Sequence, residues 1–166
     1  MLDLCFRPFR STDAESVQQL VDGLLNAYSA EKLVKPNIVR TFAEFTRYPD
    51  KGQIVVIEYN QQVVGYAILI FVWTNELGNY VLWIDELAVH EKYRSLGIGK
   101  RFFSWLQSTY HSSPAYSLLV SENNFRARKF YEEIGFNPLQ LQMLKVNHIA
   151  EQSLPIIEEK ELIGAV

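Results

Sequence analysis

With 166 residues, a net charge of −3 and its basic residues scattered, the chain suits one domain with a single sizeable core and disfavours an extended nucleic-acid surface. Its 48% hydrophobic and 13% aromatic content excludes a disordered chain, and the single cysteine, Cys5, excludes an internal disulfide or a multi-cysteine zinc site. Residues 1–10 hold no apolar signal-peptide core and the longest apolar run, Val63 to Trp73, is strand-sized, so a soluble cytoplasmic protein is expected.

Leu2 to Phe6 reads as a first strand that Pro8 should end. Thr12-Asp13-Ala14-Glu15 has the form of a capping box, followed by a helix with Val17, Leu20, Val21, Leu24 and Leu25 as its apolar stripe. Tyr28 to Lys35 reads as a loop. Asn37 suits the cap of a second helix carrying Ile38, Phe42 and Phe45, stopped before Pro49. Gln53 to Tyr59 and Val63 to Trp73 are β-rich runs joined at Asn60-Gln61-Gln62, a hairpin signal. After a turn at Thr74 to Asn79, Tyr80 to Val89 is a third consecutive antiparallel strand.

That strand runs into Arg94-Ser95-Leu96-Gly97-Ile98-Gly99-Lys100 and then a helix with Ile98, Phe102, Trp105 and Leu106 on one face. Glycines where a loop becomes a helix let main-chain N–H groups approach an anion, and the helix dipole favours negative charge there. The physical reading is a pyrophosphate cradle. A Walker A loop does not fit, because Arg94 stands where its first glycine belongs and Arg101 where Ser or Thr belongs. A dinucleotide fingerprint lacks its third glycine, at Phe102. Ala115 to Ser121 is a further strand, Asn124 to Ile134 a helix with Ala127, Phe130, Tyr131 and Ile134 on one face and Gly135 as its left-handed cap, and Leu139 to Val146 a last strand. No element is assigned to 147–166, an extension of the one domain.

Arg-x-x-Gly-x-Gly after Leu87-Ala88-Val89 resembles the acetyl-coenzyme A signature of the GNAT family of N-acetyltransferases, and Asn124-Phe125-Arg126-Ala127-Arg128-Lys129-Phe130-Tyr131-Glu132-Glu133-Ile134-Gly135-Phe136 resembles its Asn-x-x-Ala-x-x-Phe-Tyr-x-x-x-Gly-Phe helix. The order β-α-α-β-β-β-α-β-α-β also matches. The implied fold is mixed α/β (α+β): a twisted mixed sheet of about six to seven strands flanked by about four helices.

The resemblance implies that main-chain groups of Leu87, Ala88 and Val89 receive the pantetheine arm, that Arg94, Ser95, Leu96, Gly97, Ile98, Gly99 and Lys100 wrap the pyrophosphate, and that Asn124 bonds the pantetheine amides. The family usually has glycine where this chain has Ser95. Tyr131 is implied as the general acid for the departing thiolate, a role a phenol protonated at neutral pH can fill; a packed tyrosine is the competing reading. Asp85 and Glu86 stand in the middle of a strand apolar on both faces, where carboxylates need partners or water. Successive side chains point oppositely, unless a bulge intervenes, so at most one of the two faces an acceptor cleft. Either can take a proton from an attacking amine; analogy with diamine acetyltransferases makes Asp85 the first candidate base and Glu86 the second, against a buried ion pair as the structural reading. Arg126, Arg128, Lys129, Lys100 and Arg101 are candidates for the 3′-phosphate of the nucleotide, although solvated helix charge explains most of them.

The activity these residues imply is acetyl-coenzyme A-dependent N-acetyl transfer to a primary amine by direct attack in a ternary complex, without metal. Trp73, Tyr80, Trp83, Glu76 and Asp85 suggest an aromatic, acidic pocket for a small cationic acceptor. Transfer to a protein or peptide amine, and a silent acyl-coenzyme A sensor, are the alternatives, and a homodimer is left open.

Overall fold

Three long runs rich in β-branched and aromatic residues between 52 and 89 build the centre of the molecule, because such side chains suit a pleated surface buried on both faces. The computed structural model describes residues 3–28 and 36–140. In chain order they form β1 (Leu4–Pro8), α1 (Ala14–Tyr28), α2 (Ile38–Arg47), β2 (Gly52–Tyr59), β3 (Gln62–Thr74), β4 (Asn79–Val89), α3 (Ile98–Thr109), β5 (Tyr116–Leu118) and α4 (Phe125–Glu133), with 3₁₀ turns at Ser11–Asp13 and Glu91–Tyr93. Among the described residues there are thus five strands, in one open mixed sheet of order β1-β2-β3-β4-β5, and four α-helices. The first four strands are antiparallel and β5 joins β4 in parallel. The expected final strand, Leu139 to Val146, lies outside the described residues from 141 onward, as does the extension 147–166.

The chain divides into two compact units, one ending at Leu119 and one starting at Val120. In the first unit the two faces of the sheet are covered differently. Val17 and Val21 of α1 and Ile38 of α2 pack with Phe9, Ile54, Val56, Tyr66, Ile68 and Ala88, joined by Leu20, Leu24, Phe42 and Phe45. The side chain of Leu25 falls outside the described set. On the opposite face α3 buries Ile98, Phe102, Phe103 and Leu106, and Phe6 of β1 stacks on Phe102 at 5.7 Å and Trp105 at 5.5 Å. The Tyr110 hydroxyl, just past α3, donates to Gln53 Oε1 at 2.6 Å.

Local chemistry explains the boundaries. Asn37 Oδ1 accepts from Val39 N and Arg40 N, capping α2. Asn60 and Gln61 have φ of 49° and 63°, the pair of left-handed residues a two-residue hairpin requires, and Tyr59 pairs directly with Gln62. Three boundaries differ from the sequence reading. β1 continues through Pro8, which the edge position of that strand tolerates because the outer N–H needs no ladder partner. Tyr28 closes α1, and the rest of the loop expected from there, 29–35, lies outside the described residues. β5 is three residues long where seven were expected.

The capping box is also displaced. Asp13, not Glu15, reaches back to a backbone amide: Arg10 N donates to Asp13 Oδ2 at 2.7 Å, and Thr12 lies within the 3₁₀ turn. Asp13 is buried, and Arg7 donates to both its oxygens at 2.7 and 2.9 Å while also bonding Glu58. This ties β1, β2 and the start of α1 into one knot. Burial alone would raise the Asp13 carboxyl, but hydrogen bonds from Arg7 and the Arg10 amide outweigh it and hold it below the usual aspartate range. A group titrating lower folded than unfolded contributes stability that is fully present above its unfolded pKa and fades as pH falls through its folded one. Asp13→Asn is therefore expected to cost about 2 kcal/mol at neutral pH in urea unfolding, with the deficit shrinking below about pH 4; a deficit that does not change with pH would show the knot to be electrostatically idle.

Candidate functional site

β4 carries one residue more than β3 at its centre. Ile68 pairs with Glu86 and Leu69 with Ile84, so Asp85 is the extra residue of a bulge. Strict alternation would have put Val81, Trp83, Leu87 and Val89 on one face; the bulge divides that set. Paired residues point the same way, so Glu86 and Ala88 share the α1/α2 face with Ile68 and Tyr66, whereas Leu87 and Val89 join Ala67 and Gly65 on the face of Leu82 and Ile84. Asp85 is exposed and Glu86 is half-buried. Glu86 Oε2 accepts from the Tyr66 hydroxyl at 2.6 Å, so its partner is a phenol rather than the arginine of an ion pair. Tyr66 has no exposure at all; burial first, then the charge and hydrogen bond of Glu86, push its phenol far above the usual tyrosine range. Sequence reasoning missed Tyr66. Its signal was a hydroxyl inside the aliphatic run Val63–Ile70, where a buried phenol needs a partner.

Past the bulge, β4 keeps β3 on one side, but its pairing with β5 stops at Ile84 and Leu118. Alternate residues of a strand turn their N–H and C=O to opposite sides. His90 N donates to Val64 O, which fixes the parity: Ala88 faces β3, and Leu87 and Val89 face the edge that β5 leaves open. Of the three residues expected to receive a pantetheine arm, two thus present main-chain groups outward. The Val89 carbonyl accepts from Arg94 Nε at 2.8 Å.

That arginine clamps the turn that follows. His90 Nδ1 accepts from Lys92 N, the Glu91–Tyr93 turn closes through Arg94 N to Glu91 O at 3.1 Å, and Ser95 and Gly97 then take left-handed φ of 65° and 77°. Ile98 is buried and anchors α3, while Arg94, Ser95, Leu96, Gly97 and Lys100 are exposed and Gly99 is half-exposed. Helical bonding begins with Arg101 N donating to Gly97 O, so the amides of Ile98 and Gly99 precede the first bond of α3 and lie at its positive end. A Cβ on Gly97 would meet nothing within 4 Å. The conformation rather than crowding selects glycine there, and an approach from that side is open. Ser95 shows why the related position favours glycine: it holds a left-handed φ with a side chain present.

In the second unit, Asn124 Oδ1 accepts from Ala127 N at 3.1 Å and caps α4. Gly135, at φ 98°, ends it in a Schellman turn, with Gly135 N donating to Glu132 O and Phe136 N to Tyr131 O. Tyr131 is half-buried between the rings of Phe130 at 5.3 Å and Phe136 at 5.6 Å. Ala127, Phe130 and Ile134 share its half-buried state, as the helical spacing required. Arg126 and Lys129 are exposed, and Arg128 Nη1 donates to Glu122 O at 3.4 Å.

The expected aromatic and acidic lining is only partly assembled. Trp73 and Tyr80 are exposed and meet edge to face at 5.3 Å near the end of the β3–β4 hairpin, where Glu76 is exposed too. Asp85 lies five residues further along β4, about 16 Å at the usual strand rise. Trp83, half-buried opposite Ile70, is between them.

Residues 17–136 match the model of the acetyltransferase (GNAT) family. No curated protein matches the chain significantly. Among solved structures, a possible acetyltransferase from Clostridium difficile 630 superposes with a TM-score of 0.75 at 19% identity, covering 89% of this chain and 99% of that one. Glucosamine-6-phosphate N-acetyltransferase from Arabidopsis thaliana gives 0.67 at 20% identity, over 86% and 97%. An aminoglycoside N-acetyltransferase solved in complex with CoA gives 0.71 at 14% identity, over 90% and 97%.

If Gly97 is selected by its backbone alone, Gly97→Ala should cost about 1 kcal/mol from left-handed strain, read as a lowered thermal midpoint. A variant as stable as the parent would mean that the turn relaxes out of the left-handed region.

Proposed function

The chain belongs to the GNAT family of acetyltransferases, and from that premise we propose that it transfers the acetyl group of acetyl-CoA to a primary amine of a small cationic acceptor, by direct attack within a ternary complex. The observation that carries this reading is the continuous run from the open edge of β4, through the left-handed turn, to the first amides of α3. An extended amide-bearing arm can pair with the outward groups of Leu87 and Val89, and a diphosphate suits the turn from Arg94 to Lys100 with the start of α3. The family match runs from the first compact unit into the second, which supports treating the chain as one acetyltransferase domain. Among the described residues no helix is long and apolar enough to cross a membrane.

In this reading the Val89 N–H polarises the thioester carbonyl as charge develops on its oxygen. The amine nitrogen bonds to the carbonyl carbon, the carbon–sulfur bond breaks, a carboxylate of β4 takes the nitrogen's proton, and Tyr131 returns one to the departing thiolate. Asp85 is the first carboxylate by family analogy and Glu86 the second. Asn124 contributes to the pantetheine amides, and the 3′-phosphate falls to Lys100, Arg101 or the basic residues of α4. The acidic β4 carboxylates and exposed aromatics favour a cationic amine. Two solved structures of this fold are named for acceptors of this kind, glucosamine 6-phosphate and aminoglycosides, which supports the reading.

A panel of polyamines, aminoglycosides and lysine-like amines, assayed for thiol release from acetyl-CoA, is expected to yield at least one substrate. CoA binding by calorimetry without thiol release from any amine would favour a silent sensor, and release only with peptides a protein acetyltransferase. Tyr131→Phe is expected to lower kcat by roughly a hundredfold while CoA affinity stays nearly constant; unaltered turnover would remove Tyr131 from the chemistry.

A further inference from the structure

The bulge separates Asp85 and Glu86 into different environments. Asp85 is the extra residue and is exposed to water. Glu86 lies on the α1/α2 face with one oxygen held by a phenol that is wholly buried and anchored in the core with Val17, Val21, Ile38 and Ile68. A short O–H to carboxylate bond is charge-assisted and directional. It occupies Oε2 and leaves Oε1 with its lone pairs for another proton or cation. A buried hydroxyl in an aliphatic layer has no packing advantage over phenylalanine, and among the described residues its hydrogen-bond partner is Glu86.

Resting on the acetyl-transfer reading, we propose that Tyr66 is a positioning residue that fixes Glu86 as the carboxylate meeting the acceptor amine, which makes Glu86 rather than Asp85 the base. When the amine nitrogen bonds to the acetyl carbon and the carbon–sulfur bond breaks, the nitrogen's proton passes to Glu86 Oε1, directly or through one water. The Tyr66 proton stays where it is. Its phenol is held too high to ionise, so it remains a donor throughout the working pH range. Besides Glu86, the charges that raise the Tyr66 phenol are Asp85 from β4 and Asp22 from α1. Both are acidic and, with Glu86, disfavour a Tyr66 phenolate, which keeps the hydroxyl protonated and donating. Asp22 is itself engaged, accepting from Gln18 Nε2 at 2.8 Å.

The test is Tyr66→Phe, which removes one oxygen and keeps the ring. The carboxyl carbon of Glu86, identified by NMR through its loss in Glu86→Gln, is titrated in protein without acceptor. Its midpoint is expected to rise by roughly one pH unit in Tyr66→Phe, and the acid limb of kcat/KM to move with it. A purely structural tyrosine would lower the thermal midpoint and move neither. An unmoved Glu86 midpoint overturns the proposal, as does an acid limb that responds to Asp85→Asn but not to Tyr66→Phe. Wild-type protein that releases no thiol with any amine would sink the acetyl-transfer reading instead, and the Glu86 titration would still decide the Tyr66 pairing.

Discussion

A single extra residue in β4 determines which side chains the central sheet presents to each layer. Upstream of Asp85, Leu82 and Ile84 face α3; downstream, Leu87 and Val89 do. Without the bulge the strand would keep strict alternation and turn Glu86 toward the α3 layer, where its neighbours would be Leu82, Ile84, Ala67 and Leu69. With it, the carboxylate reaches the phenol of Tyr66, buried in the opposite layer, and the exposed Asp85 needs no partner. The same irregularity marks the point where β5 ceases to follow β4, so the outward backbone groups of Leu87 and Val89 meet no neighbouring strand among the described residues. The placement of carboxylates and the opening of the strand edge thus share one geometric cause.

The turn beyond β4 depends on that strand in a different way. Arg94 reaches back to the Val89 carbonyl, which fixes the exit direction of the chain before the two left-handed residues reverse it into α3. Ile98, buried at the first turn of the helix, sets the rotation of α3 about its axis. An anion site here requires no dedicated cation. The positive end of α3 and the amides before its first helical bond supply the attraction, and the packing of Ile98, Phe102 and Leu106 keeps them aimed.

Much of this was legible in the residues. The order from β1 to α4, the Asn37 cap, the Gly135 turn and the apolar faces of α1 and α3 follow from spacing and cap chemistry, because each is settled within a few neighbours in sequence. What escaped depends on distant partners. The box around Asp13 shifted from Thr12–Glu15 to Arg10 because the Asp13 carboxylate is claimed by Arg7, which is itself held by Glu58, 51 residues away in sequence. The bulge was only one alternative among others from sequence, since β3 and β4 fix it jointly. Tyr66 was hidden for the same reason: nothing next to it in sequence says that its hydroxyl will meet a residue 20 positions away.

The edge strand β1 carries a consequence for how the chain folds. Its register partners, Tyr59 through Val55, emerge some fifty residues after it, whereas β2, β3 and β4 are linked by short turns and pair with near neighbours. Low sequence separation favours early formation of that three-stranded meander. During synthesis the first strand has nothing to pair with until the second has been made, so it joins last and from outside. The Arg7 knot then acts as a latch: it seals the meander's exposed edge against pairing with another chain.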